Sequence, residues 1–235
     1  MSLLTRAKNG AMSLWPMLLG VPSGVRTIAG LCILMQIMQR VVADAPVRTV
    51  LLGEGSNYLL VPDVLTFLFA IHGIGLSLGF FWTPVTYMFL HGSTSHLVLN
   101  LIGLFTFGTA MEKEVGKRQM WLVFISSGII GGIGWTLANG LDSAQPCIGA
   151  SAGVLGLVGA FAALRPREQF DLFIPFPIVV SAWALAAIIF FLNAAELVLV
   201  ESHVAYLAHL VGILSGIVSG LILKWITSRG IIKTS

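Results

Sequence analysis

Apolar residues in this chain do not alternate with polar ones; they come in long blocks separated by short polar breaks. A helix needs roughly 20 mostly apolar residues to cross a bilayer. Six blocks read as such helices, at about 25–43, 87–111, 118–139, 150–164, 176–198 and 204–225. A further stretch, residues 64–82, is also uncharged over 19 residues. It contains His72, Gly73, Gly75 and Gly79, and few residues, Pro84 among them, separate it from the next block. Read as a seventh span it would also carry Lys113, Lys117 and Arg118 to the outer side. It therefore reads as an apolar loop with short helical pieces, lying in the outer leaflet against the protein, where non-helical backbone is tolerated if covered. The expected architecture is an all-α membrane protein: a six-helix membrane domain over 25–226, preceded by a cytoplasmic segment 1–24 and followed by a short cytoplasmic tail 227–235.

Composition agrees with a lipid solvent. The 235 residues are 57% hydrophobic and 10% charged, and the mean hydropathy is +0.94, outside the range of a soluble domain. No early run has the compact apolar core and small-residue cleavage site of a signal peptide, so the N-terminus is expected to be retained. With the N-terminus in the cytoplasm, eleven of the thirteen Lys and Arg residues fall inside and only Arg40 and Arg48 outside, as the positive-inside rule requires. The net charge of +3 is thus topological. The basic residues form no stripe that could track phosphates, which argues against a nucleic-acid partner. Cys32 and Cys147 offer neither a disulfide framework nor a metal-ligand spacing.

Polar side chains at membrane depth are costly and mark function by default. Four stand out. His96 and Asn100, four residues apart in HGSTSHLVLN, share one face of the second block, with His91 nearer its outer end. Ser151, in GASAG, opens the fourth block, where free backbone N–H groups and the positive helix end favour a developing anion. His209, in AHLVGILSG, lies between one and two turns into the sixth. The second, fourth and sixth blocks all descend from the outer surface, so these four residues fall at similar depth. Together they supply a hydroxyl, an imidazole to take its proton, and N–H donors for an oxyanion, which are the parts acyl transfer needs. No buried carboxylate is available to orient His209, so the arrangement reads as a dyad.

Each residue also has an ordinary reading. A serine among glycines can be a packing residue, a histidine at a helix end an interfacial one, and His96 with Asn100 an interhelical pair. Coincidence of all four at one depth on three helices is what points to a site. A nucleophile elbow needs a preceding strand and a soluble sheet, and a metal site needs three or four ligands, whereas His91, His96 and His209 come without a placed carboxylate and with the thiols elsewhere; neither fits. No cofactor is called for. The glycines at 212, 216 and 220 recur every four residues, which aligns them on nearly one helix face and implies a tight bundle.

From about Trp82 to Lys224 the sequence resembles the rhomboid family. The resemblance is carried in order by TYMFLHGSTSHLVLN, by FGTAMEKEVG with Glu112 and Gly116, by GASAGVLGLVGA, and by AHLVGILSG. It implies proteolysis of transmembrane segments of membrane proteins within the bilayer. Ser151 would attack, His209 would accept and return the proton, and His96, Asn100 and the Ser151 backbone N–H would hold the oxyanion. His91, Gly149 and Gly153 would support them. It also implies that residues 64–82 are the family's membrane-embedded first loop, that the fifth span is a candidate lateral gate, and that water reaches Ser151 from the outer face. A compact chain of this kind suggests a bacterial inner membrane with both termini cytoplasmic. Three positions depart from the family pattern: Ala152 where glycine is usual, Leu155 where an aromatic is frequent, and Thr83 where many members have arginine. A noncatalytic client-binding relative and a small transporter or proton channel are the alternatives.

Overall fold

The computed structural model describes residues 20–43, 50–51, 58–59, 64–173, 177–199 and 206–230. Most of the 1–24 segment and the end of the 227–235 tail lie outside these residues. Among the described residues, five helices are long and apolar enough to cross a membrane: α1 (Ser23–Ala43), α5 (Thr94–Val115), α6 (Lys117–Asn139), α8 (Ala182–Leu199) and α9 (Tyr206–Ser228). Between α6 and α8 lies a shorter apolar helix, α7 (Ser151–Leu164). The rest are α2 (Val64–Phe69), α3 (Gly73–Ser77), α4 (Thr83–Thr86), a minimal ribbon of β1 (Val50–Leu51) and β2 (Tyr58–Leu59), and an antiparallel hairpin of β3 (Gln169–Phe173) and β4 (Pro177–Ser181). The chain is an integral multi-pass membrane protein.

Helix α7 is the hub. Its 14 residues reach about 21 Å at 1.5 Å per residue, short of a hydrocarbon core of roughly 30 Å. Ten of those residues are buried, so its surroundings are protein rather than lipid and its length is not set by the bilayer. The glycine repeat of α9 makes this packing possible. A Cβ at Gly212 would sit 2.5 Å from the Ala152 carbonyl oxygen, one at Gly220 2.5 Å from that of Ala160, and one at Gly216 would collide with Gly156. The four-residue periods of the two helices thus run in register, backbone against backbone. That register sets where Ser151, next to Ala152, stands relative to His209, three residues before Gly212.

Helix α5 starts later than its hydropathy suggests. Residues 87–89 form a 3-10 turn and the chain then extends to Ser93, whose hydroxyl accepts from the His96 N–H at 3.1 Å and caps the helix. A π turn at Leu104–Gly108 inserts an extra residue, turning the following face by about 100°. Asn100 before it lines a cavity beside α7, and Glu112 after it reaches α1. The Glu112 carboxylate accepts from the Gly24 and Val25 N–H groups, both at 2.9 Å, and so holds the N-terminus of α1 with charge and hydrogen bonds together. Arg165 and Glu114 pair at 2.9 Å, joining the matching ends of α7 and α5.

The fifth block is shorter as a helix than its hydropathy indicated. Its first residues, Pro177 to Ser181, form β4, and α8 begins at Ala182. Proline and the β-branched run Ile178, Val179, Val180 favour a strand, and the helix starts where Ala and Leu take over. Phe170 of β3 packs its ring on Phe107 and Phe161 at 4.9 and 5.6 Å. Residues 64–82 are a loop carrying two short helices, α2 and α3. His72 makes it rigid: its Nδ1 accepts from the Gly75 N–H at 2.9 Å and its Nε2 donates to the Phe67 carbonyl at 3.1 Å. Burial lowers the His72 pKa, which keeps the ring in the neutral form those two bonds require.

Candidate active site

Ser151 is the first residue of α7, and the segment before it is held from outside. The Ile71 and Cys147 backbones exchange hydrogen bonds at 3.2 and 2.8 Å, the Ile74 N–H donates to Ser143 at 3.1 Å, and the Gly149 N–H donates to Tyr87 at 3.0 Å. The 64–82 loop and the 87–89 turn therefore serve as a template for residues 143–149. Gly149 has a φ of +122°, a conformation that disfavours any side chain. A Cβ there would also lie 2.7 Å from His96 Nε2 and 3.7 Å from Ser151 Oγ. Glycine thus leaves open the space between the hydroxyl and the His96 ring.

Across the α7–α9 seam, His209 Nε2 lies 2.7 Å from Ser151 Oγ, a contact between residues 58 apart in sequence. His96 and Asn100 open on the same cavity, about 680 Å³ between α5, α7, α8 and α9, with apolar walls that include Leu99, Phe107, Val154, Leu155 and Ile189. Asn100 is buried and gives one amide hydrogen to the His96 carbonyl at 3.1 Å; its second N–H remains. The His96 ring nitrogens have no hydrogen bond among the described residues.

The remaining expected residues take other places. His91 is buried behind His96, with ring centroids 5.1 Å apart, its Nδ1 on the Phe89 carbonyl at 3.3 Å and its N–H on Gln39 at 3.0 Å. Burial, then the neighbouring His96, pushes the His91 pKa down to about 4, so it stays neutral in ordinary buffers and holds the entry to α5. Gly153 faces α6 rather than the cavity: a Cβ there would meet the Phe124 ring at 2.8 Å. Ala152 fits because its methyl points at Gly131, where a Cβ would come within 2.9 Å; the extra carbon on α7 is matched by a missing one on α6. With Leu155 in the cavity wall, the aromatic ring against His209 is Tyr206, edge-on at 6.1 Å. Thr83 is fully buried and its hydroxyl donates to the Phe80 carbonyl at 2.8 Å, while the Trp82 indole stacks on Phe80 and donates to Leu68 at 2.7 Å. The loop is anchored without an arginine at position 83.

One residue at the site escaped the sequence reading. Asn193 of α8 is buried, lines the cavity, and places its Oδ1 2.7 Å from His209 Nδ1. An asparagine inside the apolar run AIIFFLNAAELVLV is the same kind of signal that singled out His96 and Asn100. Among the described residues no cluster of histidines, cysteines and carboxylates could hold a metal ion.

Helices packed for lipid around a short buried helix, with a serine hydroxyl and an imidazole meeting at its end, define a multi-pass membrane protein with the parts of a serine hydrolase. The rhomboid domain matches residues 78–226, more than half of the chain, and the chain belongs to the rhomboid family. It is 29% identical to the putative rhomboid protease YdcA of Bacillus subtilis over 152 residues, 62% of this chain and 68% of that protein. It is 32% identical to the mitochondrial rhomboid protein 1 of Saccharomyces cerevisiae over 151 residues, 62% of this chain but 41% of that one. Over 94 residues it is 34% identical to the rhomboid protease GluP of Bacillus subtilis, 39% of this chain and 18% of that one.

Proposed function

We propose that the protein is an intramembrane serine endopeptidase that cleaves transmembrane segments of membrane proteins. The observation that carries this reading is the 2.7 Å contact of Ser151 Oγ with His209 Nε2 at the buried N-terminus of α7, opening on a cavity that also holds His96 and Asn100. His209 takes the serine proton as Oγ attacks the scissile carbonyl, then returns it to the leaving amine. The oxyanion forms in the gap kept by Gly149, within reach of His96, the Asn100 amide and the first N–H groups of α7, where the helix dipole favours negative charge. Because α8 buries only Ala182, Leu185, Ala186 and Asn193, the substrate helix enters between α8 and α5, and water comes from the outer face. We place the protein in a bacterial inner membrane with both termini cytoplasmic.

Labelling of the detergent-solubilised protein with a serine-reactive fluorophosphonate tests this. Wild type is expected to label, and Ser151→Ala and His209→Ala are not. Absence of label on a demonstrably folded wild type would favour a noncatalytic client-binding role.

A further inference from the structure

Asn193 touches the Ser151–His209 pair, yet the proposed chemistry gives it no part. Helix α8 lies at the rim of the bundle, with Ile188, Phe191, Leu192, Val198 and Leu199 exposed. After Ala186, Asn193 is its only buried residue. The helix carries one charged residue, Glu196, which is exposed at the cavity mouth; a buried amide turned inward one turn before it needs a partner and a reason.

Both ends of this amide are engaged. Nδ2 donates to the Ile189 carbonyl one turn back at 2.8 Å, and Oδ1 lies 2.7 Å from His209 Nδ1. A carbonyl can only accept, so Ile189 fixes which end of the amide is nitrogen and turns the oxygen toward the imidazole. Nδ1 must then carry a hydrogen. A neutral imidazole has only one N–H, which leaves the lone pair on Nε2, the nitrogen 2.7 Å from Ser151 Oγ. That is the tautomer a general base requires.

We propose that Asn193 is a positioning residue for His209: its Oδ1 accepts the Nδ1–H, keeps Nε2 free to take the Ser151 proton, and stabilises the imidazolium that results. The pair is thus completed as a Ser–His–Asn relay with its third member on α8. An amide does this without bringing a carboxylate charge into the bilayer, where its burial would be costly. The inference rests on the serine protease reading. A purely structural anchor between α8 and α9 would change stability but would leave the ring chemistry alone.

The test combines kinetics on a transmembrane substrate with 15N NMR of the histidine side chains, His209 being assigned by its loss in His209→Ala. Asn193→Leu is expected to lower kcat roughly 10- to 100-fold at similar KM, the rate equivalent of one hydrogen bond to a group that becomes charged. Asn193→Asp, which keeps an acceptor, is expected to restore most of it. In the spectrum, wild-type His209 is expected as the Nδ1–H tautomer and the Leu variant as a mixture. An Nε2–H tautomer in wild type overturns the inference without any variant. So does an unchanged tautomer and kcat in Asn193→Leu, or a kcat loss that tracks lost thermal stability and is not restored by Asp. If wild type neither cleaves nor labels, the protease reading falls by itself, and the tautomer comparison still decides whether Asn193 orients the ring.

Discussion

At the residue scale, the site depends on a missing side chain as much as on those present. Gly149 combines a left-handed backbone with a neighbour, His96, that a Cβ would strike at 2.7 Å. Gly149→Ala is expected to cost about 1–3 kcal/mol in backbone strain and to reduce cleavage at least tenfold, because the ring that moves aside belongs to His96, a proposed oxyanion donor. Thermal unfolding and kcat measured together check this; normal cleavage would mean that the gap is not where the oxyanion forms. A proton count at the same pair fixes the sign of the pH response. His209 acts as base only when neutral, so activity is expected to fall on acidification as the imidazolium forms and its Nε2 lone pair is lost. Between pH 8 and 5 the rate is expected to follow the neutral fraction of His209 read by 15N NMR; a rate that departs from that fraction would argue against His209 as base. His91, neutral over that range, is not expected to contribute to the profile.

At the scale of elements, the α7–α9 seam sets the distance between Ser151 and His209. Gly216 meets the Gly156 backbone directly, so Gly216→Val must push the helices apart. The expected cost is about 1–3 kcal/mol, typical of an overpacked core, and Ser151 labelling should be lost because Oγ and Nε2 separate. A labelled Gly216→Val protein would show that the register of these helices tolerates displacement. The Glu112 clamp on α1 is farther from the chemistry. Glu112→Ala removes a charged cap from two N–H groups and is expected to lower stability by about 1–2 kcal/mol while leaving Ser151 reactive. Calorimetric or light-scattering melts in detergent, with labelling as the control, separate the two effects.

At the scale of the whole molecule, sidedness is expected to follow from charge. Eleven of the thirteen basic residues lie on one expected face, and reversing the chain would place them across the membrane. In a bacterial host, a fluorescent protein fused to the C-terminus is expected to fluoresce and an alkaline phosphatase fused there to be inactive. The opposite pair of results would put Ser151 and the cavity mouth on the cytoplasmic side and remove the route for water proposed above.

Hydropathy, glycine spacing and the rarity of polar groups in lipid were enough to find the apolar helices, the loop at 64–82 and the close glycine face of α9, and to single out Ser151, His209, His96 and Asn100, which line one cavity. These properties are local: each is written in residue type and period, and the bilayer supplies the common depth. Contacts between segments were not legible in that way. Which helix stood in the middle, how the 64–82 loop braces the strand-like approach to Ser151, why Ala152 finds room opposite Gly131, and that Asn193 reaches His209 all depend on three-dimensional packing. A one-dimensional pattern gives a residue's depth and helix face but not its neighbour on another helix; only the register of α7 against α9 and the seating of α8 decide that.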